Sequence, residues 1–281
     1  MYHTGKKFVR PVIYSGLVII MIFTLLPYLW LFVSTIKPER EIFEIIPRWI
    51  PRTFTLENYG WAFSSKGPNL IPLLFNSIIT ATGTALITAF FAVTGGYALA
   101  RYKAPGFKVI GVTLLLSQLF QGPLIMVPWY KMAASLGILN TYQALILIYC
   151  TATIPIGIWL MRGFFAAVSV ELEEAAAVDG CNKLKILSQI VLPLTAPGLV
   201  AIIIYSFILS WNDYQYALIL TTSTQSKTIQ VGIAELMDSM GKQNWGGIMA
   251  SCVVVTIPII VLFGIIQRYL IEGLTAGAVK G

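Results

Sequence analysis

The chain has 281 residues, of which 57% are hydrophobic and only 11% charged, and it combines a mean hydropathy of +0.79 with a net charge of +7. Soluble domains carry roughly 25% charged residues, so lipid must form part of the solvent of this protein. Its basic residues are dispersed near the ends of apolar runs and do not indicate a nucleic-acid partner. The single histidine, His3, and three cysteines without paired spacing exclude histidine-based catalytic sites and a disulfide framework, so we expect no catalytic residue and no metal site.

Six apolar stretches are long enough to cross a bilayer, which requires about 20 mostly apolar residues. They predict an all-α membrane protein in which residues 1–11 precede a single transmembrane domain, residues 12–281. The predicted spans, in chain order, are Val12–Val33, Pro72–Ala100, Phe107–Tyr130, Tyr142–Phe165, Gly198–Leu220 and Gly247–Leu270.

Basic residues near the span ends set the predicted orientation, because cytoplasmic loops are enriched in lysine and arginine. Segment 1–11 and the connection 101–108 each carry three such residues, whereas most of those on the opposite side lie in one long loop, residues 37–71. We therefore expect both termini, including the tail 271–281, to be cytoplasmic.

The predicted outer loop, 37–71, contains four prolines and several aromatic residues, among them Trp49, Tyr59 and Trp61. The prolines favour short turns and helices on the outer surface. The aromatic residues fit either a structured connector at the membrane interface or a contact with a partner protein.

The connection between the fourth and fifth spans, about 166–197, is long and strongly helix-forming. It contains the run VELEEAAAVDG, which ends at Gly180. Acidic residues in the first turns and three successive alanines favour a helix, and a glycine can end it with a positive φ angle.

A second helix is predicted from Lys183 to about Val191, with Asn182 as its N-cap. Pro193 and Pro197 are expected to end it and to turn the chain into the fifth span. The pair of helices fits either a small-residue surface that another protein can approach closely or an amphipathic connector resting on lipid headgroups.

Polar groups at membrane depth are costly and usually face protein or water, so they mark places where a solute could pass. The third span contains two glutamines near Trp129, and Asp213 in the fifth span has aromatic and amide neighbours that include Tyr216. This mixture suits a sugar, whose ring has an apolar face and a rim of hydroxyls; the alternative is an interfacial aromatic belt with Asp213 paired to a partner subunit. The candidate pathway residues are Gln118, Gln121, Trp211, Asn212, Asp213 and Tyr214.

Several motifs resemble those of a known family. The run EAAAVDG, then IVLP at 190–193 and the pair Pro197 and Gly198, resembles the EAA signature of binding-protein-dependent ABC importer permeases. Asn76 with Ser77, YALAR at 97–101, WND at 211–213 and the ending GLTAGAVKG extend the resemblance, over nearly the whole chain, to the MalG-type permeases of the carbohydrate-uptake class. It implies the type I importer (MetI-like) fold, with six transmembrane helices, in a bacterial cytoplasmic (inner) membrane.

In this family the EAA segment is a coupling helix that docks in a cleft of the ATPase subunit, which the C-terminal tail also reaches. The implied partners are a second homologous permease formed by a different chain, a dimer of ABC ATPase subunits, an extracytoplasmic solute-binding protein and membrane lipid. The implied ATPase-coupling residues are Glu173, Glu174, Ala175, Ala176, Asp179, Gly180, Lys280 and Gly281.

The sequence has no Walker A pattern, GxxxxGK[ST], so we expect this chain to bind no cofactor and not to be an enzyme, with ATP and Mg²⁺ bound by the partner ATPase. The prediction is a permease subunit that translocates a carbohydrate, in the first instance an oligosaccharide. Two alternatives remain: an ABC permease for a non-sugar solute such as a glycerol phosphate, and an ion-coupled secondary carrier, for which Asp213 is the one candidate ion-binding residue.

Overall fold

The computed structural model describes residues 5–102, 105–119, 122–238 and 244–278, with side chains except those of residues 5–10, 12, 108 and 268–278. Within these ranges every regular element is helical. The chain divides into two compact units, Met1–Leu70 with Ile233–Ile257 and Ile71–Gly232 with Pro258–Gly281.

The chain begins with helix α1 (Gly5–Thr35), and the most apolar window of its span, Ile13–Thr35, buries no residue inside the protein. Two short helices follow in the predicted outer loop, α2 (Glu39–Ile42) and α3 (Glu57–Phe63). The prediction of short helices and turns in this loop is confirmed.

Two buried charges organise the loop after α1. The Lys37 ammonium lies 4.3 Å from the centre of the Trp30 ring and donates to the Arg48 carbonyl. The Glu41 carboxylate accepts from the backbone N–H groups of Arg52 and Thr53, and the Arg52 N–H is the main reason why the pKa of Glu41 lies below its usual value. Backbone and ring contacts therefore stabilise charges that burial would otherwise penalise.

Helix α4 (Leu70–Arg101) confirms the second span. One of its faces carries an amide at Asn76 and then small or hydroxyl-bearing side chains every four residues, and these small side chains let a neighbouring helix approach closely. The buried residues of this face include Asn76, Thr80, Thr84, Thr88, Ala92 and Gly96.

The third predicted span is broken. Helix α5 (Pro105–Leu116) continues as a 3₁₀ turn (Ser117–Leu119), and α6 (Pro123–Ser135) leaves at an angle of 102°. Gly122, with φ +83°, precedes Pro123, which lacks an N–H group and therefore favours the start of a new helix. The predicted span over 107–130 is therefore formed by two helices that meet at a sharp bend.

Helix α7 (Tyr142–Ala166) confirms the fourth span and lies between α4 and the helix that follows Thr195. Its Thr153 hydroxyl is 2.6 Å from that of Thr88 on α4. A Cβ on Gly157 would lie 3.1 Å from the Ala92 Cβ and 3.4 Å from Ile202 Cγ2, so the absence of a side chain lets three helices approach one another.

The next elements are α8 (Val170–Val178), α9 (Lys183–Ile186), a π-helical turn (Leu187–Val191) and α10 (Leu192–Leu194). The second predicted helix of this segment is therefore α-helical only as far as Ile186.

Helix α11 (Ala196–Asn212) leaves the preceding helix at 81°, and α12 (Gln215–Leu220) is separate from it. The chain turns at Thr195, and Pro197 lies in the first turn of α11. The expected fifth span to Leu220 is corrected: Asp213 has extended backbone and lies at a helix break.

The described chain closes with α13 (Ile229–Asp238) and α14 (Trp245–Ala278), whose apolar part, Trp245–Gln267, confirms the sixth span. Four helices in the described ranges can cross a membrane by length and composition, and the two bent pairs raise the number to the six that were predicted.

Candidate functional site

The segment between α7 and α11, residues 169–195, is called the hairpin segment below. Its first helix is capped by Ser169, whose hydroxyl accepts from the Glu171 N–H at 3.3 Å, and ends at Gly180 with φ +83°. Asn182 caps the second helix by accepting from the Lys185 N–H at 2.8 Å. The predicted roles of Gly180 and Asn182 are confirmed, and a side chain at Gly180 would be strained because L-residues rarely adopt that φ.

One face of the hairpin segment packs against the helix bundle. Ala176, Ile186 and Val191 are buried in one cluster with Met161 and Phe165 of α7. The same cluster includes Ala92 of α4 and Ile202 of α11. The hairpin segment is therefore fixed to the ends of three membrane helices by apolar packing.

A polar contact also joins α8 to α4. The Glu173 carboxylate accepts from the Tyr97 hydroxyl at 2.6 Å and from Arg101 Nε at 2.7 Å. Arg101 Nη2 also donates to the Val168 carbonyl at 2.9 Å, and the Arg101 and Glu173 side chains are only 13% and 11% exposed. We call this cluster of Tyr97, Arg101, Val168 and Glu173 the Glu173 latch.

The other face of the hairpin segment is open. Of the predicted coupling residues, Glu174, Ala175, Asp179 and Gly180 are exposed, whereas Glu173 and Ala176 face the bundle. Val178 is 88% exposed beside them. Lys280 and Gly281 lie outside the described residues.

At the opposite end of α4, Asn76 and Ser77 hold the loop that follows α12. The Asn76 amide donates to the carbonyls of Gln225 and Lys227 at 2.8 and 2.9 Å, and its oxygen accepts from the Tyr142 hydroxyl at 2.8 Å. The Ser77 hydroxyl accepts from the Ile229 N–H at 2.9 Å. We call these contacts the Asn76 clamp.

A cavity of about 890 Å³ lies between α6, α7 and the break after α11. At the break, the Asp213 carboxylate accepts from the Tyr149 hydroxyl at 2.9 Å and from the Ala217 N–H at 3.0 Å. The Tyr149 ring is buried and therefore fixes the position of a carboxylate that lines the cavity. Aromatic rings next to amide and carboxylate groups can bind a molecule with both apolar faces and hydroxyls.

The predicted pathway residues divide into two groups. Asn212 and Asp213 line the cavity, as do Trp129 and Tyr216. Trp211 is instead buried against Phe207, with the two rings stacked at 5.7 Å.

Two further predicted pathway residues, Tyr214 and Gln118, are not among the residues that line the cavity. The Tyr214 side chain is 41% exposed. The Gln118 amide donates to the carbonyl of Thr151, itself a lining residue, at 3.2 Å. Gln121 lies outside the described residues.

Sequence reasoning missed the contribution of the fourth span to the cavity. Tyr149 and Thr151 are lining residues from α7, and the lining residue Ser117 lies just before the break in the third span. The polar side chains within the apolar fourth span could have indicated a polar environment, but they do not indicate which face of the helix lines a cavity.

Comparison with known proteins identifies the family. Residues 5–275 match the family described as the binding-protein-dependent transport system inner membrane component. The chain belongs to this family. It is therefore a multi-pass inner-membrane component of a transport system, as predicted.

Several relatives are similar over nearly their whole length. The chain is 34% identical to the trehalose/maltose transport system permease protein MalG of Thermococcus litoralis over 272 residues, 97% of each chain. It is 36% identical to the trehalose transport system permease protein SugB of Mycobacterium tuberculosis, covering 92% of this chain and 93% of that one. It is 32% identical to the inner membrane ABC transporter permease protein YcjP of Escherichia coli, over 95% of both.

A solved structure supports the fold. A chain from the crystal structure of a bacterial ABC transporter involved in the import of the acidic polysaccharide alginate superposes with a TM-score of 0.81 at 24% sequence identity. The match covers 96% of this chain and 99% of that chain. The predicted importer-permease fold is confirmed.

Proposed function

We propose that this permease forms one half of the translocation pathway of an ABC importer for a carbohydrate. An extracytoplasmic binding protein delivers the solute, a second permease of a different chain completes the pathway, and two copies of a separate ATPase subunit bind ATP and Mg²⁺. The names of relatives that transport trehalose, maltose and diacetylchitobiose support the solute class. The cavity lining is mostly apolar, and the aromatic rings of Trp129 and Tyr216 together with the polar groups of Asn212 and Asp213 suit the same class.

The observation that carries the proposal is the division of the hairpin segment into two faces. Ala176 and Ile186 fix one face to the bundle, while Glu174, Ala175 and Asp179 expose small or acidic side chains on the other. Small side chains let a partner backbone approach closely. A protein that docks on this face can therefore move helices α4, α7 and α11 together, and with them the walls of the cavity.

Cysteine crosslinking tests the docking. The chain is co-expressed with the ATPase, the second permease and the binding protein of its transporter, after Cys150, Cys181 and Cys252 have been replaced by serine. A cysteine at Asp179 should crosslink to the ATPase subunit, whereas one at Thr222, which is exposed in the loop after α12, should not. Equal crosslinking of both sites, or of neither, would contradict the proposal.

The solute class is tested by ATP hydrolysis in proteoliposomes. Binding protein loaded with one member of a panel of di- and oligosaccharides should raise the ATPase rate, and glycerol phosphates should not. If only glycerol phosphates stimulated the ATPase, the carbohydrate proposal would be wrong and the alternative of a non-sugar solute would be favoured.

A further inference from the structure

We propose that the Glu173 latch couples α4 mechanically to the hairpin segment, so that a movement of the ATPase subunit is transmitted to the cavity. This inference rests on the proposed function and assigns different tasks to two adjacent acidic residues. Glu174 faces outward and is available to the ATPase, whereas Glu173 faces inward and holds the permease together.

The geometry leaves Glu173 no role on the docking surface. Both of its carboxylate oxygens are occupied, one by the Tyr97 hydroxyl and the other by Arg101 Nε. Arg101 reaches α8 at a second point, because it also donates to the Val168 carbonyl just before that helix. Three hydrogen bonds, two of them to the Glu173 carboxylate and one from Arg101 to the Val168 carbonyl, therefore join α4 to the start of α8, and charge-assisted bonds of this kind are strong enough to move the two elements together.

The latch also connects α4 to α7. The Tyr97 ring packs edge-on against Phe165 of α7, with ring centres 5.6 Å apart. One residue earlier, Gly96 lets the two backbones approach, since a Cβ there would lie 2.7 Å from the Met161 Cβ. Helix α7 supplies cavity-lining residues from Leu147 to Pro155, so the chain of contacts runs from the hairpin segment to the cavity wall.

A second contact at the same end of α4 is weaker. Lys183 of α9 donates to the Tyr102 hydroxyl at 3.0 Å and lies 5.0 Å from the centre of its ring, but both side chains are exposed. Water competes for such a contact. Of the two polar contacts between α4 and the hairpin segment, the buried Glu173 contacts are therefore the stronger.

The first test measures whether the two elements move as one body. Spin labels are placed at Thr94 on α4 and at Val170 at the start of α8, both exposed, in the chain whose cysteines have been replaced. In the assembled transporter the distance between the labels should be the same without nucleotide and with Mg-ATP and vanadate. In the Glu173→Gln variant the distance should shift or its distribution should broaden. A nucleotide-dependent change in the otherwise native chain would overturn the proposal.

The second test measures transmission to the cavity. A cysteine at Asn212, a lining residue, is labelled with a membrane-impermeant maleimide in the presence and absence of Mg-ATP and vanadate. Nucleotide should change the labelling rate about tenfold, within the range of coupling between distant sites, and Glu173→Gln should abolish this change. Glu171→Gln, an exposed acid on the same helix, is the matched control and should leave the response as it was.

A third measurement separates a latch from a docking residue. Glu174→Gln should lower the amount of ATPase that co-purifies with the permease, whereas Glu173→Gln should retain the ATPase. If Glu173→Gln does not fold or insert into the membrane, the double variant Glu173→Gln with Arg101→Gln, which leaves no unpaired charge, takes its place in all three measurements.

The possible failures are distinguishable. Native transmission in either assembled latch variant would overturn the latch. Loss of the ATPase from a correctly inserted latch variant would show that Glu173 belongs to the docking surface, which also overturns it. A native chain that never captures an ATPase would instead refute the proposed function.

Discussion

The two ends of helix α4 hold their neighbours in different ways. At one end the Asn76 clamp binds the carbonyls of Gln225 and Lys227, and Ser77 binds the Ile229 N–H. These partners are backbone atoms. At the other end the Glu173 latch joins the side chains of Tyr97 and Arg101 to the side chain of Glu173.

This difference matters because backbone atoms are present whatever the side chains are. The clamp therefore needs an amide at Asn76 but tolerates changes in the loop that it holds. The latch needs both members of an ion pair, and a buried ion pair is sensitive to the loss of either member. The clamp is suited to a fixed support, and the latch to a joint whose strength depends on two particular residues.

The largest effect that separates the two ends is expected at the latch. Glu173→Gln leaves the Arg101 guanidinium buried without its carboxylate and should destabilise the protein by about 3 kcal/mol. Adding Arg101→Gln should recover part of this loss, because no uncompensated charge remains. Chemical denaturation in detergent measures both variants, and a double variant as unstable as the sum of the singles would show that the residues do not interact.

A somewhat smaller loss is expected at the clamp. Asn76→Ala removes the partner of three hydrogen-bonding groups around a buried side chain and should cost about 2 kcal/mol. Asn76→Asp is the matched variant, since it retains the acceptor for Tyr142 but replaces the donor to two carbonyls with a carboxylate. An Asp variant as stable as the native protein would show that the loop is held elsewhere.

The exposed contact beside the latch should contribute little. Tyr102→Phe removes the hydroxyl that accepts from Lys183 but retains the ring, and should change stability by about 0.5 kcal/mol or less. The same denaturation experiment measures it. A loss as large as that of Glu173→Gln would mean that the connection between α4 and the hairpin segment runs through α9.

The smallest effect should be found in the loop side chains at the clamp. Gln225 is exposed and contributes its carbonyl to Asn76, so Gln225→Ala should change stability by less than about 0.5 kcal/mol. If the alanine variant were strongly destabilised, the distinction between backbone and side-chain recognition would not hold.

The sequence determined the features that depend on residues near one another in the chain. Six apolar stretches identified the spans because a bilayer sets their length, and Gly180 and Asn182 identified the turn of the hairpin segment because helix ends require particular local groups. The EAA run indicated the family because its residues lie close together in the chain. The break at Gly122 and Pro123 also depends on local residues, because a glycine with positive φ is followed by a proline that starts a new helix.

The tertiary structure decided which face of each helix meets which partner. Glu173 and Glu174 are adjacent acids in the same run, yet successive helical residues point about 100° apart, so only the position of α4 makes one an internal ligand of Arg101 and leaves the other exposed. In the same way, Asp213 is held in the cavity wall because the Tyr149 hydroxyl of α7 donates to its carboxylate at the break after α11. Contacts between residues so far apart in the chain follow from helix packing, which local sequence patterns do not specify.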